Sequence, residues 1–458
     1  MPERLVVIGG DAAGMSAASQ ARRRRGADDL EIVAFERGHR TSYAACGIPY
    51  VVGGVVDSMD DLVARTPETF RETYRIDARI RHEVVEIDVD AGEVTVRDLE
   101  GGRTVREGWD HLVIATGAEP VRPPIPGIDV QGIHGIQTLD DGEAVAEALG
   151  PEVERIVVVG GGYIGLEMAE AMLMRRKEVT LVELAPQPMQ TLDPEMGALV
   201  ADALRDAGAE VRLDEGVEAF EAEGGRVRAV TTAAGTIPAD LVILGLGTRP
   251  RSRLAKEAGI PVGETGGIRT DARMRTDREE VWAAGDCVET FHRVSRRPVA
   301  IALGTHANKQ GRVAGINLGG GYATFPGVVG TAITKICSVE VARTGLNERE
   351  AQEAGFRFES VTLESATRAG YYPGAERMTI KVLAEHGSGR ILGAQIVGRE
   401  GSAKRIDVLA ACLWNEMTVG EIQGMDLSYA PPFSPVWDPV LIAARKAAEA
   451  LEEVGGSG

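Results

Sequence analysis

The sequence predicts an α/β chain with two parallel-sheet parts and a smaller α+β part. Three observations carry that reading. RLVVIGGDAAGMSAASQARRRR, from Arg4, and RIVVVGGGYIGLEMAEAMLMRR, from Arg155, repeat one pattern: a short β-branched run, a glycine turn, then an alanine- and methionine-rich helical stretch. A second apolar run follows each copy, LEIVAFER at 30–37 and EVTLVELA at 178–185, each with an acid near its end, Glu36 and Glu183. Beyond Gly319 and a linker, GGGYATF, the pattern changes to short alternating strands, MTIKVLAE at 378–385 and ILGAQIVG at 391–398, and a helical stretch at 403–417.

The glycine turns come first in chain order. Glycine lets the chain turn sharply and lets backbone N–H groups approach a pyrophosphate, while the following helix N-terminus adds partial positive charge. A carboxylate ending the second strand accepts hydrogen bonds from a ribose diol. The second copy matches G-x-G-x-x-G at Gly160, Gly162 and Gly165; the first keeps Gly9 and Gly14 but places Asp11 in the middle. Two such units, each with its downstream acid, predict two Rossmann-like dinucleotide-binding domains. Two further strands fit beside them, HLVIATGAEP (111–120), ending in Thr116-Gly117, and LVILGLGTRP (241–250), ending in Gly245 and Gly247. A third short strand ends at Ala284 before Gly285-Asp286, where an acid can bind a ribitol hydroxyl; alone, Asp286 reads as a plain turn residue.

Bulk properties narrow the class. The length of 458 residues suits about three domains, and a hydrophobic content of 44% supplies several cores. A net charge of −19 argues against nucleic-acid binding, and an anionic ligand would need a locally basic pocket, for which Arg22 to Arg25 are candidates. That run reads equally well as a solvated helix end. No apolar run reaches membrane-helix length, no signal peptide is expected ahead of the first turn, and a cytoplasmic location is expected. Four cysteines make no disulfide scaffold and no metal site is expected.

Taken together, Gly9–Gly14 with Glu36, SYAACGIPY, ATG, Gly160–Gly165 with Glu183, WAAGD, GYYPGA and YAPPFSPVWDP resemble the FAD-dependent pyridine nucleotide–disulfide oxidoreductases. The resemblance spans residues 1 to about 445, and is to the single-cysteine branch: coenzyme A-disulfide reductases, NADH oxidases, NADH peroxidases and persulfide reductases. It implies an FAD-binding domain in two parts (1–117 and 247–322), an NAD(P)-binding domain (118–246), a dimerisation domain (323–447) and a flexible tail (448–458). It implies a homodimer, with part of each active site supplied by the other subunit. It extends the cofactor-binding set to Ala12, Ala13, Arg37, Val84, Ala115, Tyr163, Ile164, Ala302 and Glu167, the last at the flavin edge or else a surface acid. Glu183, with no nearby Arg or Lys, favours NADH, NADPH remaining possible.

In this setting Cys46 is the redox residue. It has no neighbour to bridge, so a mixed disulfide, persulfide or sulfenic acid is its oxidised form, and each requires a thiolate, favoured by a helix N-terminus or a cation. Cys287, Cys337 and Cys412 read as buried small residues. Where family peroxidases and water-forming oxidases carry a histidine in the first glycine loop, this chain has Ala12, which weakens the peroxidase reading. SQARR resembles a coenzyme A-contacting helix, implying a substrate channel of Ser16, Gln20, Arg23, Ser42 and His306. Tyr429, with Tyr371 or Tyr372, matches a phenol acting beside the leaving thiolate. Ala45 for an expected asparagine and Trp437 for a lysine depart from the coenzyme A pattern, and no appended sulfur-transfer domain is expected. The expected reaction is reduction of coenzyme A disulfide by NAD(P)H through FAD and Cys46. The alternatives are a coenzyme A persulfide or polysulfide reductase, or an NADH oxidase.

Overall fold

The computed structural model describes residues 2–455. The first sheet is parallel, in the order Val281–Ala283, His111–Ile114, Glu3–Ile8, Leu30–Phe35, Asp77–Arg79. Leu5, Val6, Val7, Leu112, Val113 and Ile114 are wholly buried, as expected of central strands covered on both faces. The helices of this part are α1 (Ala12–Arg22), α2 (Ile48–Gly53) and α3 (Pro67–Tyr74).

The second sheet is also parallel, in the order Glu210–Arg212, Glu178–Val182, Arg155–Val159, Leu241–Leu244, Ile133–Gly135. Its helices are α4 (Leu139–Ala148), α5 (Tyr163–Met174) and α6 (Pro194–Asp206). A capping box of Thr138 and Asp141 starts α4 and satisfies two otherwise orphaned N–H groups. In both sheets the strand before the glycine turn lies between its own successor and a strand from far along the chain. The strand order therefore reverses beside each turn, which opens a crevice at the strand ends.

Two helices follow in sequence, α7 (Arg253–Glu257) and α8 (Gly304–Leu318). Helix α8 packs on α1 with almost no separation. A Cβ on Gly311 would lie 2.1 Å from the Ala13 carbonyl oxygen, and one on Gly315 2.3 Å from that of Ala17. The buried face of α1 is correspondingly small: Ala13, Gly14, Ala17, Ala18 and Ala21, with Met15 its one large side chain.

A third five-stranded sheet is antiparallel, in the order Ala332–Ile336, Val339–Gly345, Ile391–Gly398, Arg377–Glu385, Phe358–Ala366. It carries α9 (Glu348–Glu353), α10 (Ile406–Trp414), α11 (Val419–Gln423) and α12 (Pro439–Gly455). The tail expected from residue 448 is helical as far as Gly455, because Val440, Ala443, Ala444 and Ala447 bury one helical face and Ala448 and Leu451 continue it. Residues 456–458 lie outside the described residues. No helix among the described residues is long and apolar enough to cross a membrane.

Candidate active site

The two glycine turns share one steric plan. Gly9 has φ +108°, and a Cβ there would sit 2.1 Å from the Ala115 oxygen; Gly160 has φ +101° and faces the Gly245 oxygen at 2.4 Å. In each turn the last glycine is jammed against the first, since a Cβ on Gly14 or Gly165 would lie 2.0 Å from the Gly9 or Gly160 oxygen. The middle position is different. Asp11 is extended at φ −107°, and Gly162, at φ −78°, has nothing nearer than 3.8 Å to a built Cβ. Neither backbone demands glycine there, so Asp11 fits. Its Oδ1 accepts the Tyr43 N–H at 3.1 Å, which fastens the cysteine loop to the start of α1. Sequence reasoning gave Asp11 no role; a short acid immediately before a helix was the available signal.

The acids after the second strands behave alike. Glu36 accepts from Gly10 N and Gly38 N, both at 2.7 Å. Glu183 accepts from Gly161 N at 2.5 Å and Ala185 N at 2.8 Å. A cavity of about 330 Å³ opens beside Glu36, lined by Arg37, Tyr43, Arg81, Glu83 and Asp140 among others. Thr116 donates to the Arg251 oxygen at 2.6 Å, and Gly117 and Gly247 have φ +70° and +83°. Val84 is buried in the first core. Ala13 meets Ala284 and Ala307 in a small cluster that gathers the start of α1, the Gly285 turn and the start of α8, with Ala12 against it. Ala302 is exposed just before α8, and Tyr163 and Ile164 open α5.

Asp286 tests whether this place suits a bound flavin nucleotide. Its Oδ1 is buried with no partner, and burial pushes the carboxyl up to about 6 although the Leu303 backbone hydrogen-bonds to it. A hydroxyl-bearing ligand would satisfy that oxygen. With the cradle of Gly9 and Gly14 and the acid at Glu36, the residues fit FAD; Gly160, Gly165 and Glu183 fit a nicotinamide dinucleotide by the same steric criterion.

Cys46 lies in a short 3-10 turn, Ala45–Gly47, directly before α2. It is exposed and unbridged, as are the other three cysteines unbridged. Cys287 and Cys412 are buried, whereas Cys337 is only half-buried, at φ +52° in a hairpin. Enclosure by neighbouring atoms pushes the Cys46 thiol up, and the Glu167 carboxylate pushes it the same way, with smaller pressure from Asp286 and Asp11. Among the leading influences on the sulfur no cation appears, and its own backbone N–H is the group that favours the thiolate. Glu167 is half-buried on α5, accepts from Thr334 Oγ1 at 2.7 Å, and is itself raised by burial. Thr334, from the antiparallel sheet, had no sequence signal.

The channel candidates fall into two groups. Ser16, Gln20 and Arg23 occupy one outer stripe of α1; Ser16 donates to Asn308 Oδ1 at 2.8 Å, and Arg23 reaches Gln20 Oε1 at 3.4 Å. Ser42, at φ +48°, donates its N–H to the Gly10 oxygen and lies in the cysteine loop. His306 is half-buried near the start of α8; its Nδ1 has no partner, and burial pushes it down to about 4. Arg22 and Arg25 are structural. Arg22 donates to the carbonyls of Leu30, Tyr74 and Arg75, and Arg25 pairs with Glu3 at 2.5 Å. Tyr371 and Tyr429 are both exposed, and the nearby Tyr371 phenol raises Tyr429; Tyr372 is not among the groups that act on it. Neither phenol is among the groups acting on Cys46 within the chain.

Comparison with known proteins places this geometry in context. The family model described as pyridine nucleotide-disulphide oxidoreductase matches residues 3–311, and its dimerisation domain matches 331–439. The NAD(P)H coenzyme A polysulfide/persulfide reductase of Pyrococcus horikoshii is 41% identical over 97% of this chain and 98% of its own length. The coenzyme A disulfide reductase of Staphylococcus haemolyticus is 29% identical over 97% and 99%. The solved structure of an NAD-dependent persulfide reductase from A. fulgidus superposes with TM-score 0.95 at 40% identity, covering 98% of this chain and 84% of that one.

Proposed function

The chain belongs to the pyridine nucleotide-disulphide oxidoreductase family, an FAD- and NAD(P)H-dependent enzyme family, and on that premise we propose that it reduces a sulfur–sulfur bond carried on coenzyme A, with Cys46 as the single redox thiol. The carrying observation is an exposed, unbridged Cys46 joined through Tyr43 and Asp11 to the helix that presents Ser16, Gln20 and Arg23. A coenzyme A persulfide or polysulfide is the acceptor favoured by the relatives at 40–41% identity. Coenzyme A disulfide is the second reading, supported by the 29% relative.

FAD, when bound, would supply a two-electron relay between NAD(P)H and sulfur. Cys46 as thiolate attacks one sulfur of the acceptor; a new S–S bond to Cys46 forms, the old one breaks, and the departing thiolate takes a proton. After two-electron reduction Cys46 is again a thiolate, and the second sulfur leaves with a proton. The balance is NAD(P)H, one proton and one S–S bond giving NAD(P)⁺ and two thiols, or one thiol and hydrogen sulfide from a persulfide. Tyr371 and Tyr429 of a second copy supply the phenolic donor in this reading. The exposed phenol pair and the match to a dimerisation domain support a homodimer. Asp286 and Glu36 would hold FAD, and Glu183 would favour NADH.

The test is anaerobic NADH oxidation with coenzyme A persulfide and with coenzyme A disulfide, by wild type and Cys46→Ser. Loss of both acceptor activities in the variant supports the proposal. Aerobic NADH loss that survives the substitution, with no turnover of either acceptor by wild type, identifies an oxidase instead.

A further inference from the structure

We propose that Lys309 and Arg312 of α8, together with Arg23 of α1, form a phosphate-binding surface that selects a thiol carrier with phosphate at its far end. The inference rests on the coenzyme A reading above and adds two residues from a different helix.

The surface is built by the packing of α1 on α8. Gly311 and Gly315 bring the two backbones together, and Ser16 and Asn308 are hydrogen-bonded at 2.8 Å across the outer edge. On α8, Thr305, Asn308, Lys309 and Arg312 are exposed at i, i+3, i+4 and i+7, so they form one outward stripe. On α1, Ser16, Gln20 and Arg23 form the adjoining stripe. Arg312 follows Asn308 by one turn as Gln20 follows Ser16, which sets Arg312 beside Gln20 and Arg23.

Charge points to an anion. The chain carries 69 acidic and 50 basic residues, and its surface cations are widely paired, with Arg25 on Glu3, Arg40 on Glu143 and Arg155 on Asp240. Among the described residues no carboxylate pairs with Arg23, Lys309 or Arg312. Three unpaired cations beside one another repel unless an anion lies between them. Two guanidinium groups offer bidentate contacts to phosphate, and an ammonium adds a point charge.

Position agrees with a long carrier. Tyr43 N–H on Asp11 sets the cysteine loop at the beginning of α1. From Ala12 to Arg23 the helix rises about 17 Å. A hydropersulfide ion cannot span that interval, whereas a pantetheine arm ending in phosphates runs along it.

The experiment compares kcat/KM for the coenzyme A acceptor with that for its pantetheine counterpart, which has the same sulfur and arm but no nucleotide phosphates, using whichever sulfur–sulfur form turns over faster. Wild type is expected to prefer the coenzyme A form. Arg312→Gln and Lys309→Gln are each expected to reduce that preference about tenfold, through KM, and Arg312→Lys to restore part of it. The preference is also expected to shrink with added salt. If wild type shows no preference, the coenzyme A reading and this surface both fall. If wild type shows it and the variants keep it, or if they lose both acceptors equally, the surface alone is overturned.

Discussion

Cys46 shows how far a single residue's surroundings can oppose the role its motif suggests. The negative charges of Glu167, Asp286 and Asp11 each raise the thiol. Glu167 is held in place by Thr334 from another sheet. Its neutralisation therefore tests the local field directly: Glu167→Gln removes a negative charge that disfavours the thiolate, so the Cys46 thiol pKa should fall. Alkylation of the NADH-reduced enzyme by iodoacetamide, followed across pH, should shift to lower pH and become faster near neutrality. An unchanged profile would mean that enclosure alone sets the thiol. The sequence reading placed Glu167 at the flavin edge or else on the surface, and its action on the Cys46 thiol was not legible there.

At the scale of elements, the pairing of α1 with α8 organises the candidate site. It gathers Ala13, Gly285 and Ala307, and it aligns the two stripes that carry Ser16 and Asn308. The contact depends on the missing side chain at 311. Gly311→Ala would place a Cβ 2.1 Å from a backbone oxygen that has no freedom to retreat. The expected cost is about 1–3 kcal/mol, seen as a lower melting temperature and faster loss of flavin on gel filtration, whereas exposed Gly304→Ala, with open space around it, should do neither. The glycine turns were readable because φ near +100° and a 2.0 Å approach leave a compulsory mark on sequence. The Gly311–Gly315 spacing carried the same kind of mark, but its partner helix lies far away in the chain.

Across the whole molecule, the segment after the second nucleotide acid is locked to the antiparallel sheet by a buried cation. The Lys381 side chain is 2% exposed, and its Nζ lies 3.0 Å from Asp193, 2.5 Å from Glu195 and 2.7 Å from Glu348. Gln395 closes the cluster with two bonds to Asp193. Lys381→Met would leave these carboxylates without their cation, at a cost of about 3–5 kcal/mol, measurable as a lower urea midpoint. His292 gives a second global signature. Buried and accepting from Ser295 N at 3.2 Å, it is pushed down to about 4 by burial. The folded state then binds fewer protons than the unfolded one, so stability is lost as pH falls from about 6.5 towards 4, by on the order of 3 kcal/mol. His292→Gln should flatten that part of the stability–pH curve relative to wild type.

From its sequence alone the protein was determined to have two strand–glycine turn–helix units, an acid at the end of each second strand, and one cysteine without a mate. These are local: backbone sterics and side-chain period act over a few residues, so they must be written there. The three-dimensional arrangement alone decided that Asp11 would hold the cysteine loop, and that Arg22 would be consumed by carbonyls while Arg23 reached only the Gln20 amide. Those outcomes depend on which distant atoms arrive beside a side chain, and spacing along a chain does not encode that.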